Sequence, residues 1–191
     1  MFKPQNYLHS TGRMVAASAA TLGIATVFLA PSALAGRIGN RVYFDSAPRL
    51  TRSVATNRGP SRQSTYQFTI YLPDNAGEPL EAVRFTPRDH LEDIALEVDE
   101  SSAFEGDTLA GGPNLPLSSI GGTPEVSGEV TVVFDPPVSP GRSVTVELET
   151  EHNPGRGGVY LYGVTAYPDG GELAEGIFLG YGRLHFFDDE Q

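Results

Sequence analysis

Residues 66–72, YQFTIYL, decide the fold class of this 191-residue chain. The even-numbered positions are apolar, whereas the odd-numbered positions carry polar groups. This alternation is typical of a strand with one buried face. The strand is expected to end at residues 73–77, PDNAG, because proline, asparagine and glycine favour tight turns.

The same alternation recurs between turn clusters along the rest of the chain. The further predicted strands lie near 42–44, 83–85, 94–98, 129–134, 143–150, 159–167, 177–179 and 183–187. Residues 159–167 are apolar on both faces, which favours an interior strand. About eight or nine strands separated by turns predict an all-β fold, an antiparallel two-layer sandwich that is immunoglobulin-like or jelly-roll-like. A small β-barrel is the alternative.

Two segments do not follow this pattern cleanly. Residues 88–97 are predicted as a strand, but their apolar positions also fit the spacing of a short helix, which stays open. Residues 100–128 are rich in glycine, serine and proline and have no sustained period. We expect a long loop there, and long loops are the first place to look for a binding surface.

The N-terminus has the layout of a secretory signal peptide. Lys3 and Arg13 precede an uncharged, largely apolar run over residues 14–35. The run closes with small residues, as a signal peptidase requires, which predicts cleavage between Ala35 and Gly36. We therefore expect export to the periplasm, the outer surface or the medium, with no membrane span left after cleavage. An uncleaved membrane anchor is the alternative, although several Ser, Thr and Pro residues dilute the apolar run.

The predicted mature chain has an uneven charge. We expect a leader over 1–35, an Arg-rich segment over 36–62 and the sandwich domain over 63–191. Losing the leader's two cations takes the net charge from −11 to −13, so nucleic acid is a poor partner. Residues 36–62 hold six arginines against one acid, whereas 63–191 hold five against 23 carboxylates. We expect the leading arginines to pair with the acidic body or stay solvated, with a grip on an anionic envelope polymer or lipid head group as the alternative.

Four motifs resemble a family of exported proteins of unknown function that is found chiefly in cyanobacteria. They are YQFTIYLPDNAGEPL at 66–80, FDPPVSPG at 134–141, GVYLYGVTAYP at 158–168 and FLGYGRLHF at 178–186. The resemblance spans roughly residues 40–187. It implies a single secreted β domain, and it supplies no activity, catalytic residue or ligand.

No catalytic template fits the predicted mature chain. It has no cysteine, and its histidines, His90, His152 and His185, lie outside any nucleophile-elbow, zincin or phosphate-loop motif. We expect His185 to be a half-buried structural residue, because its neighbours on the last strand are apolar. Carboxylates are numerous, so a glycoside or ester hydrolase stays an alternative without an assigned catalytic residue.

One turn has the oxygen ligands of a metal site. Asp74, Asn75 and Glu78 lie close together in the sequence. Carboxylate and amide oxygens suit calcium, which is therefore the one cofactor that the sequence suggests. The same residues also suit a tight turn for geometric reasons alone. The sequence leaves both interpretations open.

Three tyrosines are the other candidate ligand-binding residues. Tyr160, Tyr162 and Tyr181 could form a platform on which a sugar ring stacks, with core packing as the alternative. Gly180 and Gly182 beside Tyr181 favour a β-bulge that redirects its ring.

These observations predict a non-enzymatic exported protein that binds or organises something in the cell envelope or outside the cell. Its partner would be an envelope polysaccharide or another envelope protein. A carbohydrate-binding or calcium-binding module and a hydrolase are the alternatives.

Overall fold

A computed structural model describes residues 37–88, 90–121 and 126–188. The predicted leader and the cleavage site at Ala35 and Gly36 lie outside these ranges. The strands are β1 (Arg37–Ile38), β2 (Arg41–Val42), β3 (Arg49–Ala55), β4 (Ser64–Tyr71), β5 (Leu80–Arg88), β6 (Leu96–Glu105), β7 (Leu117–Gly121), β8 (Val130–Val138), β9 (Ser143–Thr150), β10 (Gly158–Pro168) and β11 (Ile177–Phe186). Of the described residues, none belongs to a helix that could cross a membrane.

Nine of these strands form two antiparallel sheets. The first has the order β11-β10-β5-β8-β7, and the second has the order β3-β4-β9-β6. Strands β1 and β2 make a separate short hairpin. The two sheets confirm the predicted all-β sandwich over the small barrel, and β10 is an interior strand, as its apolar faces predicted.

The core lies between the two sheets. Tyr66, Phe68 and Ile70 of β4 are fully buried, as their alternation predicted. The Phe68 ring centroid lies 4.7 Å from that of Phe85 in β5, so aromatic side chains join the two layers.

Parts of the Arg-rich segment belong to the sandwich. The sandwich domain therefore begins before residue 63, where the sequence predicted its start. Strand β3 pairs with β4, so the sheet begins at Arg49. Arg41 forms an ion pair with Glu175, and Arg52 donates a hydrogen bond to the carbonyl of Asp107. These two leading arginines therefore contact the acidic body.

The long loop predicted over 100–128 is wrong in its extent. Strand β6 continues to Glu105, and β7 occupies Leu117–Gly121. The first residues of the segment between them lie on the outer face of the four-stranded sheet, where Thr145 donates a hydrogen bond of 2.9 Å to the carbonyl of Gly106 and Gln67 Nε2 donates to the carbonyl of Leu109 at 3.5 Å. Thr69 on that face is therefore buried although sequence alternation placed it outside.

The helix alternative for 88–97 is also wrong. Arg88 ends β5 and Leu96 begins β6, and the described residues between them, 90–95, contain no helix. The strand prediction holds only at the two ends of this stretch, because residues 90–95 have no regular secondary structure. The predicted alternation is present just before β6, with Ile94 buried, Ala95 exposed and Leu96 half-buried.

Strand β11 is one continuous strand rather than the two predicted. It lies beside β3, where the backbone N–H of Arg183 donates to Ser53 Oγ at 2.8 Å. Gly182 lets the strand approach the core, because a Cβ atom there would lie 2.6 Å from Phe68 Cε1. These contacts fix β11, an edge strand, against both sheets.

Candidate binding site

A β-bulge in β11 places two aromatic rings on the same outer face. Gly180 pairs with Val164 and Phe178 pairs with Thr165, so Leu179 is an extra residue. Residues three apart on a regular strand lie on opposite faces of the sheet. The extra residue in a bulge brings residues three apart onto the same face. Gly180 has a φ of 115°, a conformation that favours glycine. The predicted bulge is thus confirmed, and its consequence is that Phe178 and Tyr181 both point outward.

The two rings form a pair above a glycine of β10. Their centroids are 5.2 Å apart with an interplanar angle of 72°. A Cβ atom on Gly163 would lie 3.3 Å from Phe178 Cε2 and 3.6 Å from Tyr181 Cε1. The rings therefore cover the backbone of β10 and still keep 54% and 42% of their surface exposed.

A groove of about 210 Å³ runs beside this aromatic pair. It is lined by Thr86, Pro87, Arg88, Gly163, Thr165, Phe178 and Tyr181. Arg88 Nη1 donates to the Tyr181 hydroxyl oxygen at 3.1 Å, and the guanidinium carbon lies 6.0 Å from the ring centroid. The contact orients the Tyr181 ring and brings a positive charge to the groove.

The other two predicted tyrosines lie in the core, so the three-tyrosine platform is wrong. Tyr160 is 1% exposed and Tyr162 is fully buried. Burial raises the pKa of both phenols above the ordinary value. Alternation puts residues 160 and 162 on the inner face of β10, whereas Tyr181 faces outward on β11. Phe178, which was not among the predicted ligand-binding residues, takes their place beside Tyr181.

We expect Tyr162→Phe to raise the free energy of unfolding by about 1 kcal/mol, because a buried hydroxyl without a partner costs stability. The Tyr162 hydroxyl oxygen has no hydrogen-bond partner in the described part of the chain. Urea denaturation of the variant and the wild-type protein measures the difference. A destabilised variant would show that the hydroxyl group contributes a favourable interaction.

The family of this chain follows from comparison with known proteins. A model described as "Protein of unknown function (DUF2808)" matches residues 41–186. The chain belongs to this family. The match includes every strand of the two sheets of this DUF2808 domain and the whole groove. A search of curated protein sequences finds no match.

The solved structures that align with this DUF2808 protein have low sequence identity to it. The N-terminal domain of the Streptococcus gordonii adhesin Sgo0707 aligns with a TM-score of 0.49 and 15% identity, over 75% of this chain and 33% of that one. The collagen-binding domain of a Staphylococcus aureus adhesin aligns with a TM-score of 0.42 and 10% identity, over 73% and 99%. The chain thus spans about a third of the first of these structures.

The predicted calcium ligands lie in a tight turn. Asp74 and Asn75 are exposed and Glu78 is half-buried. The backbone N–H of Ala76 donates to the carbonyl of Pro73 at 3.0 Å, and Gly77 has a φ of 81°. Among the described residues, no group of three or more His, Cys, Asp or Glu is placed to hold a metal ion. Calcium binding here stays a prediction.

The histidines lie outside the groove. His90 is half-buried, with Nε2 at 2.8 Å from the carbonyl oxygen of Leu161, and burial lowers its pKa. His152 is exposed in a loop, 3.8 Å from a carboxylate oxygen of Glu151. His185 is exposed rather than half-buried as predicted, because Leu184 and Phe186 occupy the inner face of β11.

Proposed function

We propose that this DUF2808 domain is an exported, non-enzymatic protein that binds a carbohydrate of the cell envelope or extracellular space at the Phe178–Tyr181 groove. The observation that carries the proposal is the bulge that directs both rings to the outer face above Gly163. A ring pair left half in solvent offers the flat apolar faces on which a sugar ring stacks. Bulges that redirect side chains are common next to functional sites.

The lining of the groove favours binding over hydrolysis. The seven lining residues that the structure describes include no carboxylate, histidine or cysteine. Paired-acid glycoside hydrolysis requires two carboxyl groups across the substrate, and a nucleophilic mechanism requires a base beside the nucleophile. The groove instead offers two rings, two threonines and a guanidinium, which can orient a polar ligand. Export rests on the leader-like sequence over residues 1–35.

We expect Phe178→Ala and Tyr181→Ala each to weaken retention on immobilised envelope polysaccharide at least tenfold, because each removes a stacking surface of the groove. Affinity electrophoresis or pull-down with purified protein measures the retention. Phe187→Ala is the matched control, since Phe187 is 61% exposed and does not line this groove.

Three results would contradict the proposal. One is that the wild-type protein fails to bind any polysaccharide of a broad envelope panel. Another is that the Phe178→Ala and Tyr181→Ala variants bind as strongly as the wild-type protein. Equal loss of retention with Phe187→Ala would place the site elsewhere. Circular dichroism of each variant checks that the sandwich is intact.

A further inference from the structure

The strand register aligns two arginines beside the aromatic pair. On the outer face of the five-stranded sheet, Leu161 of β10 pairs with Arg88 on one side and Arg183 on the other. Neighbouring strands are about 4.8 Å apart, so the Cα atoms of these arginines lie about 10 Å apart. Both side chains are exposed. The adjacent row on the same face contains Gly163 and Tyr181.

A second arginine and tyrosine contact lies on the same face. The Arg84 guanidinium carbon is 5.1 Å from the Tyr167 ring centroid, and both residues line a groove of about 310 Å³. Arg84 and Arg88 are four residues apart on β5, which corresponds to about 13 Å along the strand. The face therefore repeats the pairing of a guanidinium with an aromatic ring at two positions.

This face concentrates positive charge on an acidic body. Residues 63–191 contain five arginines and 23 carboxylates, and three of the arginines, Arg84, Arg88 and Arg183, lie here. Acids beside these arginines include Glu129, 3.8 Å from Arg84 Nε, and Glu81 in the wall of the second groove. A local excess of guanidinium groups attracts anions, and their planar forks match carboxylate and sulfate oxygens.

We propose that this face selects an anionic polysaccharide, whose sugar rings pack on Tyr181 and Tyr167 and whose carboxylate or sulfate groups contact the arginines. The inference rests on the proposed carbohydrate-binding function and adds its ligand class. Two small grooves, whose arginines Arg88 and Arg84 are spaced by about 13 Å along β5, fit ring-sized units along a chain. An amphipathic helix of a protein partner would instead need one continuous apolar groove.

The test compares three immobilised polymers with the purified full chain: a polyuronate, dextran sulfate and neutral dextran. We expect at least tenfold stronger retention on one or both anionic polymers than on dextran, with the difference reduced by salt because screening weakens exposed charges. The polyuronate and the sulfated polymer distinguish the two anionic groups. Arg183→Gln should weaken anionic binding about fivefold and leave dextran binding unchanged.

Arg142→Gln is the matched control for the loss of one positive charge. Arg142 is exposed and pairs with Glu105, near the start of β9 in the four-stranded sheet. Equal losses with Arg142→Gln and Arg183→Gln would overturn the proposed site, since net charge alone would then explain binding.

Equal retention on dextran and the anionic polymers, lost in the Tyr181→Ala variant, would overturn the proposed selection for anionic polymers but support carbohydrate binding. No retention on any of the three overturns the inference, and no retention across the broad envelope panel overturns the proposed function as well.

Discussion

Asn153→Ala is expected to lower the free energy of unfolding by about 4 kcal/mol, because it removes three hydrogen bonds of a buried side chain at once. Asn153 is 3% exposed. Its Nδ2 donates to the carbonyls of Asn57 and Gly59 at 3.0 and 2.9 Å, and its Oδ1 accepts from the Tyr66 hydroxyl at 3.0 Å. The side chain thus ties the β3–β4 connection to the loop before β10. Chemical denaturation measures the loss.

An exposed asparagine provides the control for this prediction. Asn75→Ala in the turn after β4 should change the unfolding free energy by less than about 0.5 kcal/mol. Tyr66→Phe should lower the free energy of unfolding less in the Asn153→Ala variant than in the wild-type protein, because in that variant the Tyr66 hydroxyl has already lost its acceptor. An Asn153→Ala variant as stable as wild type would show that water replaces all three contacts.

Phe68→Ala is expected to destabilise the sandwich by about 3–5 kcal/mol, because it leaves a cavity between the two sheets. The Phe68 side chain is fully buried and packs 4.7 Å from the Phe85 ring and 5.7 Å from the Tyr162 ring, measured between centroids. It also contacts the backbone position of Gly182 on β11. Thermal and urea unfolding, followed by circular dichroism, measure the effect.

Replacing an exposed phenylalanine by alanine is the control for Phe68→Ala. It removes an aromatic ring without leaving a cavity in the core. Phe187→Ala, where the ring is 61% exposed, should cost less than about 1 kcal/mol. Similar losses in the two variants would mean that Phe68 does not join the two layers. Because Phe68 supports β11 through Gly182, Phe68→Ala should also weaken ligand retention.

Alternation of apolar and polar residues predicted the strands in which every second residue faces the core along the whole strand, as in β4 and β9. Strand β3 was missed because its register shifts between Leu50 and Arg52, so the buried positions change phase within seven residues. Strand β6 was cut short for a related reason, a register shift between Glu97 and Ser102. A bulge breaks the period-two pattern on which the prediction depends.

The candidate site was predicted only in part. Tyr181 and the bulge around Gly180 were read from the sequence, because glycines flanking one aromatic residue in a strand indicate irregular pairing. The presence of Phe178 on the same face could have been deduced from a bulge of one residue. Tyr160 and Tyr162 were misplaced because both faces of β10 are apolar, so the pattern does not indicate the inner one.

The amino-acid sequence by itself determined an all-β chain of two layers, since period-two alternation between turns requires a dry face on each strand. Tertiary structure alone decided which rings stay in solvent and which arginines lie beside them. Those choices depend on the pairing of strands distant in sequence, as when Leu161 brings Arg88 and Arg183 into one row. Local patterns specify the faces of a strand, whereas register across the sheet specifies its neighbours.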